Sequence, residues 1–349
     1  MTTTDIGIIG TGSYLPDRVV PNAEIAPAAG VDAAWIERKT GIRERRHAAP
    51  GQATSNLAAI AADRALLAAG LSPDDVDHIV VATSTPDHPQ PATASLVQHL
   101  IGARSASAAD VNAVCSGFVY ALAMAEGLLH ANGGGHALVI GADIYSRILD
   151  RRDRKTAILF GDGAGAVVLG AVPAGGGVLG TRLRGHGDEN ELIGVRAGGS
   201  RLPASVRSVL AGEHFFRMNG RGVREFVDGH VPGAIAAALR ASGVPAAAVD
   251  HLVPHQANGV LLRNLADALD LPNARLHLTV ERFGNTGAAS VPITLDAAHR
   301  SGALRAGEVV LLAGFGGGMN LGVGLCRWTV TPPRPEAGAE RHAGALSHR

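Results

Sequence analysis

Short apolar runs alternate along this chain with longer Ala/Leu-rich stretches. Residues 6–9, 79–82, 138–141 and 166–169 are apolar runs bounded by glycine or polar residues, the pattern of strands buried on both faces. Residues 55–69 predict a helix that stops at Gly70, a residue suited to the left-handed turn after a helix. Residues 116–130 and 231–241 also read as helical. So do residues 291–300, where Pro292 falls in the first turn. Residues 321–330 alternate as a strand does. Strands alternating with helices predict a mixed or parallel sheet covered by helices, an α/β fold.

The same pattern occurs twice. Asp77-His-Ile-Val-Val81 reappears as Asp250-His-Leu-Val-Pro254, an offset of 250 − 77 = 173. Ala137-Leu-Val-Ile-Gly141 aligns with Val309-Val-Leu-Leu-Ala313, an offset of 309 − 137 = 172. Two matches at nearly one spacing predict a duplicated fold of about 170 residues per half, too long a period for a solenoid. The division expected is 1–172 and 173–331, followed by a tail, 332–349, that lacks periodicity and reads as disordered. The Gly/Arg-rich stretch 182–217 reads as a long excursion of the kind that often borders a site.

Composition narrows the class. Lys+Arg and Asp+Glu are both 31, so the formal charge is zero, which argues against a nucleic-acid partner. Aromatics are only 3%, so Ala, Val, Leu and Ile must pack the core with backbones close together. Two cysteines make no disulfide framework. The N-terminus has no basic, apolar leader, and no run of 18 apolar residues suggests a membrane span. The expectation is a cytoplasmic enzyme with no membrane partner. Its only lysines are Lys39 and Lys155.

Four segments carry candidate chemistry. In Val111-Asn-Ala-Val-Cys115-Ser-Gly117 a strand-like run turns into a helix through small residues. That turn would place Cys115 at a helix N-terminus, where free N–H groups favour a thiolate; the alternative is a small core cysteine. Cys326, in an alternating strand, reads as core. His255, in Val253-Pro-His255-Gln-Ala-Asn258, follows a predicted strand, where sites form in α/β folds. Pro254 opposes the helix that would let His251 and His255 share a zinc ion, so no metal is expected. Asn285, between Gly284 and Gly287, is either a turn residue or an uncharged amide donor. Gly314-Phe-Gly-Gly-Gly318 could aim N–H groups at an anion or form a tight hairpin. Gly161-Asp-Gly163-Ala-Gly-Ala166 fits a dinucleotide fingerprint in spacing, but a strand follows it where a helix is required.

Together these segments resemble the thiolase-fold condensing enzymes, in particular the β-ketoacyl-acyl-carrier-protein synthase III group. The similarity is carried by Gly10-Thr-Gly-Ser-Tyr-Leu-Pro16, Trp35 with Thr40-Gly-Ile-Arg-Glu-Arg45, Asp110-Val-Asn-Ala-Val-Cys-Ser-Gly-Phe118, Phe160-Gly-Asp-Gly-Ala-Gly165, His255-Gln-Ala-Asn258, Gly284-Asn-Thr-Gly-Ala-Ala-Ser290 and Phe315-Gly-Gly-Gly318. They run in the family's order over residues 6–328. The resemblance implies a layered α-β-α-β-α thiolase fold and a Cys115, His255 and Asn285 triad. Cys115 would take an acyl group from acyl-CoA, and the N–H groups of Cys115 and Gly317 would form the oxyanion hole. A malonyl-type thioester, on carrier protein or CoA, would then lose carbon dioxide and condense. Trp35 and Arg154 match residues that sandwich the CoA adenine. No cofactor is implied beyond the CoA thioesters themselves, and a homodimer is.

Three positions depart from the family's bacterial fatty-acid members. Gln90, before Pro91, replaces a phenylalanine that the partner subunit contributes to the acyl pocket, which favours a polar or unusually shaped acyl group. Val260 and Asp267 occupy helix positions that are basic where a carrier protein docks, leaving Arg263 nearby. Arg221 and Arg224 replace an amide and an aromatic near the entrance. The class expected is an acyltransferase of this type that primes polyketide or specialised fatty-acid synthesis. The alternative is acyl transfer from Cys115 to a hydroxyl, amine or carrier thiol without carbon–carbon bond formation.

Overall fold

The computed structural model describes residues 5–330; the expected disordered tail lies outside them. Ten strands form two five-stranded sheets. The first contains β1 (Ile6–Tyr14), β2 (His78–Ala82), β3 (Ser107–Val111), β4 (Ala137–Ile144) and β5 (Asp162–Ala171), in the order β1-β5-β4-β2-β3. The second contains β6 (Gly177–Gly185), β7 (His251–Pro254), β8 (Arg275–Leu276), β9 (Val309–Gly316) and β10 (Asn320–Arg327), in the order β6-β10-β9-β7-β8. Strand for strand the two orders are the same, and in each the first two pairings are antiparallel while the inner pairing of β4 with β2, or β9 with β7, is parallel. The sheets are therefore mixed. The junction between them falls in the turn from Ala171 to Gly177.

The register sharpens the repeat. His78 pairs with Ala137 and His251 with Val310, so both offsets become 173 (251 − 78 and 310 − 137). The sequence match at 309 was one residue early.

Helix α1 (Ala33–Thr40) packs through Ile36 into a cluster with Phe160, Phe216 and Val280, while α2 (Thr54–Ala69) and α3 (Thr93–Ile101) cover the outer face of the first sheet. Helices α4 (Gly117–Asn132) and α7 (Ser290–Arg300) lie between the sheets. There Phe118, Leu122 and Leu129 of α4 and Val291 and Leu295 of α7 share one cluster with Val139 and Val310. Helices α5 (Gly220–Ser242) and α6 (Gly259–Ala268) cover the outer face of the second sheet. The result is five layers, α-β-α-β-α. The segment Val114–Asn132 is long and apolar enough to cross a membrane, yet half of it is buried between the sheets. Its hydropathy reflects two apolar neighbours, one on each side. The excursion expected at 182–217 begins only after β6 and contains the short helix Val206–Leu210 and a two-stranded ribbon.

Because the central helices sit close to strands, several glycines are fixed by contact. A Cβ on Gly316 would lie 2.7 Å from the Cys115 nitrogen, and one on Gly314 would lie 2.9 Å from the Ser116 Cα.

Candidate active site

Cys115 sits where β3 turns into α4, within a 3-10 turn, Val114–Ser116. Val114 holds φ at 47°, the only described non-glycine residue in left-handed backbone. That conformation is costly for a β-branched residue and persists because its surroundings over-determine it. The Asn112 side-chain oxygen accepts the Val114 N–H at 3.2 Å and so fixes the bend.

Cys115 is 5% exposed. Burial pushes its thiol up to about 12, the nearby Asp143 carboxylate adds to this, and a hydrogen bond with Tyr145 opposes it. The expected thiolate at the helix N-terminus is therefore not the resting state: desolvation outweighs the dipole. Cys326 is buried in the core, as its strand position suggested.

His255 follows β7, and its N–H donates to the Ala313 carbonyl at 2.7 Å. Gln256 anchors the bend: its oxygen accepts from Thr279 N and Val280 N, and its amide donates to Pro254 O at 2.8 Å. Phe315 packs edge-on against the imidazole at 5.3 Å. Burial pushes His255 down to about 3, with the Gly287 backbone opposing, so the ring is neutral near pH 7. A neutral imidazole offers one N–H donor without carrying charge into a dry site.

Asn285 pairs its backbone with Leu159 and Gly161, at 2.8 and 2.9 Å. Its side-chain oxygen accepts the Gly287 N–H at 2.9 Å, which leaves the amide nitrogen to act as a donor. The three side chains line one cavity of about 380 Å³, together with Trp35, Lys39, Arg154, Lys155, Arg224 and Phe315. Both lysines of the chain are thus at this cavity. Gly317 is not among its lining residues, but it is buried beside Val114 and follows Gly316, which touches Cys115. Gln90 is exposed, and the cavity of the single chain does not include it. An adjoining cleft of about 1500 Å³ is lined by Lys155, Arg196, Arg201, Arg217 and Arg221, among others.

Two residues beneath the nucleophile escaped the sequence reading. Asp143, fully buried at the end of β4, accepts five hydrogen bonds on one oxygen from Thr83, Ser84 and Thr85, at 2.8–3.2 Å. Its other oxygen takes the Ala288 N–H at 2.7 Å. Tyr145 stacks on Phe160 at 4.5 Å and meets Phe216 edge-on at 5.4 Å, and its hydroxyl bonds Ser84 Oγ at 2.8 Å. An acid closing an apolar strand was the only trace of Asp143 in the sequence. The dinucleotide-like Gly161-Asp-Gly163 segment is structural: Asp162 is buried and accepts from Ala48 N, Ser146 N and Ser146 Oγ.

Residues 109–187 match the family model for 3-oxoacyl-[acyl-carrier-protein (ACP)] synthase III, and residues 239–328 match its C-terminal model. The chain is 56% identical over 330 residues, 94% of this chain and all of the relative, to the acetoacetyl CoA synthase NphT7 of Streptomyces sp. strain CL190. It is 41% identical to a β-ketoacyl-[acyl-carrier-protein] synthase III of Caldanaerobacter subterraneus subsp. tengcongensis, covering 93% of this chain and 98% of the relative. The solved priming β-ketosynthase of the R1128 polyketide pathway superposes with a TM-score of 0.88 at 31% identity, over 95% of this chain and 98% of that one. These findings correct the expected class. The matched proteins are synthases that build a carbon–carbon bond, so neither "acyltransferase" nor transfer of the Cys115 acyl group to a hydroxyl, amine or thiol describes this chain. It is an acyl-thioester condensing enzyme of the thiolase fold and belongs to the 3-oxoacyl-[acyl-carrier-protein] synthase III family.

Proposed function

We propose that this enzyme loads a short acyl group from acyl-CoA onto Cys115 and condenses it with malonyl-CoA to give a 3-oxoacyl-CoA. The observation that carries this reading is the meeting of Cys115, His255 and Asn285 with Trp35 and Arg154 in one cavity. Cys115 Sγ attacks the thioester carbonyl, the C–S bond to CoA breaks, and the thiol proton leaves with the CoA sulfur. The Cys115 and Gly317 N–H groups hold the tetrahedral oxyanion. Malonyl-CoA then loses carbon dioxide. The neutral His255 N–H and the Asn285 amide donate to the enolate oxygen, and the carbanion attacks the acyl-Cys carbonyl. The new C–C bond forms as the bond to Cys115 breaks, and the released thiolate takes one proton from solvent. No step calls for a cofactor beyond the thioesters.

Trp35 and Arg154 clasp the adenine by stacking and cation–π attraction, and the neighbouring basic cleft attracts the CoA phosphates. CoA is preferred to carrier protein as acceptor because α6 exposes Asp267, while its Arg263 is tied to Glu281. The NphT7 relative, named for acetoacetyl CoA, supports a two-carbon acyl group. Gln90 is exposed on its own chain and lies outside this cavity, so in the homodimer it would reach the partner's acyl pocket and add one polar group to a wall that each chain otherwise builds itself. The wall that this chain supplies next to Cys115 is aromatic and suits a short acyl group: Phe160 and Phe216, in edge contact at 4.9 Å, backed by Tyr145. A cytoplasmic homodimer joined through the free edge of β3 completes the reading; Ser107 and Ala109 are exposed there.

Intact-mass analysis after incubation with acetyl-CoA should show a 42 Da adduct of about one acetyl group per chain, absent in Cys115→Ala. Chromatography with malonyl-CoA added should show acetoacetyl-CoA, and malonyl-carrier protein should react at least ten times more slowly. Equal rates with both acceptors would overturn the CoA assignment.

A further inference from the structure

A second cluster lies outside the cavity, where β6 leaves the second sheet. We propose that His186, Glu189 and His230 form a binding site for a divalent transition ion of the zinc class, which ties the wall of the acyl cavity to helix α5. The three side chains come from three elements. His186 directly follows β6, Glu189 lies in the 3-10 turn Gly187–Leu192, and His230 is on α5. One ligand atom from each lies within 4.8 Å of the others. His230 Nε2 is 3.8 Å from Glu189 Oε1. Tetrahedral zinc, with bonds of about 2.0–2.1 Å, sets its ligand atoms about 3.4 Å apart, so small rotations of these side chains reach the required geometry.

An independent observation points to a missing ligand. His186 Nε2 is shielded from solvent and has no hydrogen-bond partner. A buried polar nitrogen without a partner costs about 1–3 kcal/mol, which coordination would remove. The ring is backed edge-on by Phe226 at 5.1 Å and meets the His230 ring at 4.5 Å. Arg182, Arg184 and Arg240 line the adjacent cleft of about 330 Å³ with both histidines, so the fourth coordination position faces cations and suits water or an anion. Two imidazoles and one carboxylate with one open position favour zinc or cobalt over magnesium or calcium, which demand oxygen shells.

The site is joined to the cavity by backbone. His186 N donates to Met319 O at 2.8 Å, and Met319 N donates back at 3.1 Å. Met319, Ile193 after the Glu189 turn, and Val223 on α5 all line the cavity that holds Cys115. An ion bound by all three ligands thus fixes the segments carrying these residues relative to one another.

The test uses the full chain, stripped by a chelator and titrated with zinc chloride alone against a chromophoric competitor. Wild type and Cys115→Ser should each bind one ion per chain with a dissociation constant in the micromolar range or tighter. Glu189→Gln should weaken binding at least tenfold, and His230→Gln should abolish it. Cobalt should give visible absorption of the intensity typical of tetrahedral sites in wild type and not in His230→Gln. Zinc should also slow proteolytic cutting between residues 194 and 216 in wild type and leave Glu189→Gln unaffected. Wild-type binding no tighter than that of the Glu189→Gln and His230→Gln chains would overturn the proposal, as would loss of binding in Cys115→Ser. Glu189 is a third exposed, so its variant keeps the test valid if His230→Gln does not fold.

Discussion

The two halves of this molecule build the same bend and use it differently. Adding 173 to the nucleophile segment turns Asn112, Val114 and Cys115 into Asn285, Gly287 and Ala288. In both copies the asparagine oxygen accepts the N–H two residues on, at 3.2 and 2.9 Å. In both, the residue before the nucleophile position is left-handed, Val114 at 47° and Gly287 at 58°. What differs is the neighbour on the facing strand. In the second half the Ala288 N–H is held by the Asp143 carboxylate. The counterpart of Asp143 is 143 + 173 = 316, a glycine, and it faces the Cys115 nitrogen. One half therefore fills with a carboxylate the position that the other leaves open beside the Cys115 N–H, where the proposed mechanism puts the oxygen of a reacting thioester. Asp143 marks by symmetry a position where an oxygen accepts the N–H of the bend, even though burial raises its carboxyl above the usual range.

This contrast can be broken experimentally. The largest effect is expected from Gly316→Ala, whose Cβ would enter that position. Loading of Cys115 should fall by about 10²–10³, because the Cβ, 2.7 Å from the Cys115 nitrogen, displaces the backbone that carries an oxyanion donor, and circular dichroism with urea unfolding separates this local shift from loss of fold. Acyl-transfer rates within threefold of wild type would mean the oxyanion is held elsewhere. The two asparagines come next. Asn285→Ala should leave loading nearly intact and lower condensation by about 10²–10³, because its amide acts only on the enolate. Asn112→Ala should lower stability by about 1 kcal/mol, read by urea unfolding, without separating the two half-reactions.

Acid sharpens the comparison at the next level. His255 has moved from about 6.5 to about 3 on folding, so the unfolded chain binds more protons between those values. Stability is full above pH 6.5 and falls as pH drops toward 3, by about 1.4 kcal/mol per unit from this residue. The equivalent position in the first half is Ala82 (255 − 173), which contributes nothing. In His255→Asn the pH dependence of urea stability between 6.5 and 4.5 should flatten by about one proton. Condensation in wild type should show no inflection near pH 6.5. The smallest effect is Val114→Gly, which gives the first bend the residue of the second. Relief of left-handed strain, about 1–2 kcal/mol, is partly offset by glycine's entropy, about 0.5–1 kcal/mol, for a net gain under about 1 kcal/mol in unfolding free energy. A net loss would show that the valine side chain contributes more in packing than its backbone costs.

Much of this architecture was legible in the sequence because buried strands leave apolar runs and a duplication leaves an offset. Residues 55–69 became Thr54–Ala69, and 291–300 became Ser290–Arg300. Helix α5 starts eleven residues (231 − 220) before the segment 231–241 that reads as helical, because Gly220, Gly222 and Gly229 thin out the apolar pattern of its first turns. That Cys115, His255 and Asn285 meet in one cavity was legible through motifs. The protonation state of Cys115 was not, because it depends on burial and on Asp143, 28 residues away (143 − 115). The His186, Glu189 and His230 cluster was also hidden: 44 residues separate its ends (230 − 186), and only the packing of α5 against β6 brings them together.

The carboxylate that bridges the halves also bears on modularity. Repeated units are often imagined as parts that could be separated, copied or recombined. Here Asp143 belongs to one unit and the Ala288 N–H it holds belongs to the other. A polypeptide ending at residue 172 would keep a buried acid short of a donor and expose the apolar face of α4 that now rests on Val310 and Leu312. The two units share one core, and a gene cut at the repeat boundary should yield two insoluble fragments rather than two small proteins.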